Sequence, residues 1–346
     1  MKKAHSIAVV IPARNAVATI EGAIRAALNQ RGVTGVEVFV VDDGSTDGTG
    51  DAARKFGARV IRLEGSGPAA ARNAGWRAAK TEAVAFTDSD CIPNPDWCER
   101  ILDVLEDKTV GAVGGSYDIA NPSSLLARII HVEILARHQL MPSDVHALGT
   151  YNFAARRELL EQLGGFDESY TAASGEDNDI SYRILKAGRR LVFLHDNTVS
   201  HFHPTRLVKY LRSQAKHGFW RVKLYLDHPT MTAGDDYSHR SDFAAPFLGL
   251  GSLMFLALAV LFAVCTACGQ WTRDYLPAKA AWGLAVIFFA LAAACGRDLM
   301  VRIHRLGYKS EARVFPFFNA ARAMARGLGM LAGIFHFGLM CPRRKS

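Results

Sequence analysis

The sequence predicts an α/β fold with a mostly parallel central sheet and flanking helices, followed by a C-terminal transmembrane or interfacial helical region. Three observations lead there. Short, nearly all-apolar runs alternate with segments of helical periodicity from Ile7 to Thr87, as in a sheet covered by helices on both faces. Those strands end in polar loops, at Pro12 to Asn15, Asp42 to Ser45 and Asp88 to Asp90, and parallel sheets bind ligands at the carboxyl ends of their strands. Beyond Phe243 the chain turns apolar, with about 26 uncharged residues up to Cys268, long enough to cross a bilayer with some tilt.

The elements follow in order. Ile7 to Ile11 is a β-branched strand stopped by Pro12-Ala13-Arg14-Asn15, and Ile20, Ala23, Ile24, Ala27 and Leu28 recur at helical spacing within Ala18 to Gln30. Val36 to Val41 is a second strand, closed by Asp42-Asp43-Gly44-Ser45. A helix over Asp47 to Phe56, a strand at Arg59 to Leu63, a helix from Pro68 to Lys80 and a strand at Ala83 to Thr87 continue the alternation. Beyond Cys91 come a helix around Asp96 to Leu105, a strand near Val110 to Gly114, an apolar helical piece at Ser124 to Leu140, and the strand Leu191 to Leu194 leading toward His201-Phe202-His203.

The expected division is a catalytic domain over 1–226, a linker over 227–242 and a membrane region over 243–346, with helices at about 243–268 and 277–296. A third apolar stretch, about 314–341, carries Arg322 and Arg326 and has basic residues on both sides. It reads as an interfacial or re-entrant helix ahead of a third span.

Composition narrows the function. With 49% apolar and 21% charged residues in 346, collagen-like, coiled-coil and disordered chains are excluded, and a mean hydropathy of +0.06 reflects the apolar C-terminal third. The net charge of +8 lies largely beside apolar segments, at Arg302, Arg305, Lys309 and Arg343-Arg344-Lys345, as at cytoplasmic membrane borders. No nucleic-acid motif accompanies it, so the bilayer and not a nucleic acid is the expected partner. Six cysteines without a disulfide pattern fit a reducing cytosol, and Cys265-x-x-Cys268 lacks the second pair of a zinc site. The basic start precedes only about six apolar residues before Pro12, short of a signal-peptide core. A multi-pass inner-membrane protein with a cytosolic catalytic domain is therefore expected.

Asp88-Ser89-Asp90 puts two carboxylates in a turn after a strand, hard oxygen ligands suited to Mg²⁺ or Mn²⁺ on a bound diphosphate. Asp42-Asp43-Gly44-Ser45-Thr46-Asp47 invites a calcium-loop reading, but the twelfth position from Asp43 is Arg54, where an acid is needed. A carboxylate there can instead accept hydrogen bonds from a base or ribose, while Ser45 to Asp47 cap the next helix. Gly65-Ser66-Gly67-Pro68-Ala69 lacks the Gly-Lys-Ser/Thr ending of a P-loop, and no G-x-G-x-x-G opens the first helix.

Taken together, Val9-Val10-Ile11-Pro12-Ala13-Arg14-Asn15, Val40-Val41-Asp42-Asp43-Gly44-Ser45, Gly67 to Gly75, Phe86-Thr87-Asp88-Ser89-Asp90, Gly149 to Arg157, Gly164-Gly165-Phe166-Asp167-Glu168 and Gly175-Glu176-Asp177-Asn178-Asp179 resemble the inverting glycosyltransferases of family 2, which have the GT-A nucleotide-diphospho-sugar transferase fold. The resemblance covers most of residues 6–204. It implies transfer of a sugar from a nucleotide-diphospho-sugar, expected to be UDP-linked, to a hydroxyl acceptor at the membrane, lipid-linked or part of a cell-envelope glycan. Pro12, Arg14, Asn15, Asp42, Asp43, Arg72 and Asp88 would bind the nucleotide. Asp90, with Asp88 and His201, would hold Mn²⁺ or Mg²⁺, and Asp177, beside Glu176, would be the general base. Helix capping is the alternative for Glu176 and Asp179, and a plain histidine pair for His201 and His203. Gln214, Trp220 and Arg221 stand where processive members carry Gln-x-x-Arg-Trp, but the Arg-Trp is missing at that spacing. Single-sugar transfer is therefore expected, with an acceptor or diphosphate contact for these three. Outside the resemblance, a sugar nucleotidyltransferase and a non-catalytic nucleotide-sugar-binding scaffold are the competing functions.

Overall fold

The computed structural model describes residues 6–231, 236–238, 240–268 and 276–340. The start at Met1-Lys2-Lys3, linker positions 232–235 and 239, the loop bearing Arg273 and Asp274, and the end from Cys341 through Arg343-Arg344-Lys345 lie outside the described residues. The chain forms two compact units, one of residues 1–203 with 235–237 and one of 204–234 with 238–346.

The first unit runs β1 (Ser6–Ala13), α1 (Ile20–Leu28), β2 (Gly35–Asp43), α2 (Thr49–Lys55), β3 (Arg59–Leu63), α3 (Pro68–Ala78), β4 (Ala83–Thr87), β5 (Cys91–Pro93), α4 (Trp97–Leu105), β6 (Val110–Ile119), α5 (Leu125–His138), β7 (Asp144–Val145), β8 (Asn152–Arg156), α6 (Arg157–Leu163), α7 (Glu176–Lys186) and β9 (Arg190–His201). The sheet order is β3-β2-β1-β4-β8-β6-β9-β5, with β7 on β9. β3, β2, β1 and β4 are parallel, with Val9 opposite both Val38 and Ala85. β8 then inserts antiparallel to β4 and to β6, while β6 and β9 are parallel again. The expected parallel sheet is thus its first half, and β5, β7, β8 and α6 were not anticipated.

The all-apolar strands serve two covers at once. Ile7, Val9 and Ile11 point into a core with Ile20 and Ile24 of α1 and Trp97 and Ile101 of α4, whereas Ala8 and Val10 point into the opposite core with Trp76, Phe86 and Phe153. This is the two-residue alternation of a strand with no solvent-facing side. α3 lies so close on β1 that a Cβ at Gly75 would collide with Val10.

Asn152 joins the middle of this sheet to α4. Fully buried, it accepts from Trp97 Nε1–H at 2.8 Å and donates to the carbonyls of Asn197 at 2.7 Å and Ser116 at 3.3 Å. A side chain surrounded this way explains an asparagine in an otherwise apolar strand, since each partner would be costly to leave buried and unpaired.

In the second unit, α8 (Leu207–Asp227), a short 3₁₀ turn, α9 (Arg240–Ala267), α10 (Leu276–Ala294), α11 (Arg297–Arg305) and α12 (Lys309–Gly333) are followed by a π-helical stretch, Ile334–Met340. α9 and α10 contain the two described helices long and apolar enough to cross a membrane, and only 17% and 22% of their most apolar windows are buried. Phe247, Met254, Leu261, Trp282 and Ile287 stand exposed along them. α12 carries the third apolar stretch, and one of its arginines has an internal partner: buried Arg322 donates to Asn319 Oδ1 at 2.6 Å, and Asn319 donates to the Ala292 carbonyl at 2.9 Å. α8, expected within the catalytic domain, belongs to this unit. Any Cβ at Gly329 or Gly333 of α12 would strike the backbone of Ala215 or Phe219, so the two helices approach backbone to backbone.

Replacing Asn152 with Ala should cost the folded chain about 2 to 4 kcal/mol, because it orphans the Trp97 N–H and the Asn197 carbonyl together. Denaturant unfolding of the full chain in detergent measures this, and a loss under about 0.5 kcal/mol would show that Asn152 is not the clamp described.

Candidate active site

The ends of β1 and β2 are laced together before any ligand arrives. Asn15, in the left-handed region at φ 51°, donates its N–H to Ser45 Oγ at 2.9 Å and accepts from Thr46 N–H at 2.9 Å. Ala16 N–H bonds Thr49 Oγ1, and Asp47 accepts from Val17 N–H and from Thr49. The Thr49 hydroxyl, first among several donors, holds the Asp47 carboxyl below the ordinary aspartate value. The N-cap of α2 is Gly48, with no side-chain cap bond, so the expected cap from Ser45 to Asp47 is not formed as such; Asp47, one residue before Gly48, accepts from the first helical amide, Thr49 N–H.

Asp42 and Asp43 are both buried and both hold backbone. Asp42 accepts from Ser45 N–H at 2.9 Å, and Asp43 takes Ser66 N–H at 2.6 Å and Gly67 N–H at 2.9 Å. The Gly65-Ser66-Gly67 turn that resembled a phosphate loop is thus a ligand of Asp43. Pro12 is half-buried and Arg14 exposed at the same edge, with the Arg14 guanidinium beside Gly65.

At the end of β4 the geometry tightens around Arg72 of α3, whose side chain is 2% exposed. Its Nη1 donates to Glu176 Oε1 at 2.8 Å and its Nη2 to Asp88 Oδ1 at 3.1 Å. Burial opposes the charge on Arg72, but Asp88, Glu176 and Asp177 outweigh it and raise its pKa. One cation faces three carboxylates, too few to neutralise them all. Burial first, then the charge of Asp177, accordingly pushes Glu176 up to about 7, and burial with the charge of Asp90 raises Asp88.

Glu176 and Asp177 open α7 after Gly175, which is left-handed at φ 94°. Neither caps the helix by its side chain. Glu176 is the partner of Arg72, Asp177 is half-buried with Oδ1 accepting Asn178 N–H, and Asp179 is bound by Arg183 at 2.6 Å. Asp179 is thus a structural charge, and the acids of this turn divide between Arg72 and the half-buried Asp177.

Asp90 lies on the other side of the turn, 42% exposed, with Oδ2 3.4 Å from His201 Nε2. Cys91 and His201 are cross-strand neighbours of β5 and β9, and donor atoms of Asp90, Cys91 and His201 lie within 4.8 Å of one another. Burial, reinforced by Asp88 and Asp90, holds the Cys91 thiol far above its usual value, so it stays protonated and offers little to a hard cation. A carboxylate oxygen facing an imidazole nitrogen is a donor pair that Mn²⁺ and Mg²⁺ accept. Asp88, expected as a second metal ligand, gives one oxygen, Oδ1, to Arg72.

Behind His201, its Nδ1 is 2.8 Å from His203 Nδ1. Tyr117 walls the pair, its ring centre 5.0 Å from that of His201 and 5.7 Å from that of His203, and is itself stacked on Tyr151 at 3.6 Å. Burial drives His203 down to about 2, so it is neutral.

The chain matches the model for glycosyl transferase family 2 over residues 8–164. It is 32% identical over 272 residues to the pre-mycofactocin glycosyltransferase of Mycobacterium tuberculosis, a match covering 74% of this chain and 56% of that protein. Against glycosyltransferase AglE of Haloferax volcanii it is 30% identical over 230 residues, covering 64% of this chain and 74% of AglE. The chain belongs to glycosyltransferase family 2. It spans little more than half the length of the mycobacterial relatives. The fold is shared with the mannosyltransferase PcManGT of Pyrobaculum calidifontis, solved with GDP-Man and Mn²⁺, at a TM-score of 0.58 and 22% identity over 94% of this chain and 86% of that one.

Within this family 2 member, the structure brings together Arg72, Asp88 and Glu176, with Asp177 next in the chain, and separately Asp90 with His201. Gln214, Trp220 and Arg221 are on α8, in the second unit. There Gln214 accepts from Arg326 Nε at 2.8 Å, Trp220 packs on Phe219 and Phe337, and the Arg221 guanidinium lies over Tyr225. Tyr117, Tyr151 and His131 were missed as neighbours of the site. No motif marks them, although Tyr151 stands one residue before Asn152 in a segment that carried the family resemblance.

The Glu176 proton is held to about 7 in the folded chain against an ordinary value of 4.5. A raised acid stabilises the fold at low pH, and that contribution is lost as pH rises from about 4.5 through about 7. The unfolding midpoint of the wild type relative to Glu176→Gln should therefore fall between about pH 5 and about pH 8. An offset that is flat across this range would mean that Glu176 is ionised throughout.

Proposed function

We propose that this chain transfers a single sugar, with inversion, from a nucleotide-diphospho-sugar, UDP-linked, to a hydroxyl acceptor at a membrane. The observation that carries the reading is the arrangement of acids around Arg72: Asp88 and Glu176 bound to one buried guanidinium, leaving Asp177 and Asp90 in more open positions beside them. In an inverting transfer the acceptor oxygen attacks the anomeric carbon in one displacement and must lose its proton as it does so. Asp177 takes that proton at its carboxylate. It opens α7, where the helix N-terminus favours an ionised acid, and Glu176 and Arg72 hold the turn that presents it. Pro12, Arg14, Asn15, Asp42 and Asp43 frame the nucleotide pocket at the ends of β1 and β2, Asp42 and Asp43 chiefly by fixing its loops.

Asp90 and His201 hold the divalent cation, Mn²⁺ or Mg²⁺, which when bound supplies positive charge against the departing diphosphate. α9 and α10 anchor the protein in the bilayer with the first unit as the cytosolic catalytic domain, and a lipid-linked or cell-envelope acceptor follows from that location. Gln214, Trp220 and Arg221 then serve acceptor or diphosphate binding, a role their aromatic and basic character supports.

Detergent-purified protein, offered UDP-, GDP- and dTDP-sugars with Mn²⁺, Mg²⁺ or EDTA, should release nucleoside diphosphate from one donor in a metal-dependent way. Release of pyrophosphate from a nucleoside triphosphate would instead favour a nucleotidyltransferase. Asp177→Asn should still bind the donor while transfer drops by roughly 10²- to 10⁴-fold; equal loss of binding and transfer would remove Asp177 from the role of base. Asp90→Ala should abolish the metal-dependent part of donor binding, and unchanged binding would displace Asp90 as a ligand.

A further inference from the structure

The site contains a second histidine that the proposed reaction does not use, in direct contact with the first. His203 is 3% exposed, and Asn121 pins its backbone on both sides, accepting from His203 N–H at 3.0 Å and donating to the His203 carbonyl at 2.8 Å. Its Nδ1 meets His201 Nδ1 at 2.8 Å with the rings edge to face at 83°. Two imidazole nitrogens at that distance share one proton, so one ring donates and the other accepts.

Which one donates decides whether His201 can bind a cation. His201 Nε2 faces Asp90. If His201 carried its proton there, that N–H would donate to the Asp90 carboxylate and occupy the lone pair a cation needs. If the proton sits on Nδ1 and is donated to His203, Nε2 is an open ligand next to Asp90. Metal-binding histidines are commonly oriented in this way by the acceptor of their second nitrogen.

We propose that His203 is a positioning residue: its buried Nδ1 accepts the His201 Nδ1–H and so fixes His201 in the tautomer, and the ring orientation, that ligate the cation. This rests on the reading of Asp90 and His201 as metal ligands. The tautomer leaves the proton of His203 on Nε2, which has no partner among the described residues. The neighbouring ring is His131 of α5, 5.7 Å away centre to centre, whose Nδ1 is likewise buried without a partner. In this tautomer His203 Nε2 is a donor, and the Nδ1 of the adjoining His131 ring is an acceptor in its Nε2–H tautomer. Tyr117, packed on both His201 and His203, prevents the rings from turning away.

The test uses the full chain in detergent and Mn²⁺ alone, with the free-ion electron paramagnetic resonance signal as readout. His203→Leu removes the acceptor and should weaken Mn²⁺ binding roughly 10- to 100-fold. His203→Asn, whose side-chain oxygen can accept from His201, should stay close to the wild type. A role in packing alone would penalise both substitutions alike, and that result would overturn the proposal, as would wild-type affinity in His203→Leu while His201→Ala loses binding. Unchanged affinity in His201→Ala would bring down the metal-ligand reading itself and the proposal with it. Should His203→Leu fail to fold, long-range ¹H–¹⁵N correlations on histidine-labelled wild type with Mg²⁺ decide the matter. The proton of His203 is expected on Nε2, and a proton on its Nδ1 would overturn the assignment.

Discussion

The site depends on a guanidinium with almost no contact with water. Arg72 reaches from the first half of the sheet, where α3 packs on β1, to the start of α7, and ties Asp88 to Glu176 across 104 residues of sequence between the two ends of the longer bridge. Buried ion pairs seldom add much net stability, because the desolvation of both partners offsets their attraction. What such a pair does well is fix geometry, since any arrangement that separates the partners leaves a charge buried alone. Here the constraint falls on the turn carrying Glu176 and Asp177 and on the turn carrying Asp88 and Asp90. Sequence elements far apart in the chain are thereby held to one edge of the sheet.

The first half of the fold was legible because its strands are covered on both faces. Runs such as Ile7 to Ile11, and Val36 to Val41 with Glu37 as its one polar residue, are apolar until they end, so their type can be read directly, and β1 to β4 form where expected to within two residues at each end. The second half was harder. β8 is only five residues long, reads Asn-Phe-Ala-Ala-Arg, and takes its place by pairing antiparallel on both sides; nothing local distinguishes it from a loop. α8 falls almost wholly within the residues expected to form the catalytic domain, 1–226. Its partner is α12, about a hundred residues later, and the glycines that admit it are visible only once the two helices are paired.

The same limit applied to the site. Acidic motifs at strand ends were easy to find, but their division of labour depends on partners that spacing does not reveal. Asp42 and Asp43 were expected at the nucleoside, and in the structure they also hold backbone N–H groups, Asp42 in its own loop and Asp43 in the turn after β3. Capping was the alternative for Glu176 and Asp179, yet one is bound to Arg72 and the other to Arg183. His201 and His203 stand two residues apart at the end of β9 and are in close contact, whereas the approach of His131 from α5 could not be anticipated from an apolar helical stretch.

Environment therefore sorts the carboxylates more sharply than sequence does. Acids whose oxygens meet backbone N–H groups, such as Asp42, Asp43 and Asp47, keep the loops in shape. Those sharing Arg72 have their ionised forms disfavoured by burial and by the neighbouring carboxylates, Asp177 for Glu176 and Asp90 for Asp88, which raises their affinity for a proton. Asp177 and Asp90 differ from them in being partly open to solvent while close to the same charge cluster, and so are reachable. Where a single fold brings several acids together, pushing their proton affinities apart is what allows one to orient, another to bind and a third to act as a base. Here burial and the neighbouring acids raise Asp88 and Glu176 against the pull of Arg72, which holds both in place, while Asp177 and Asp90 remain the more open.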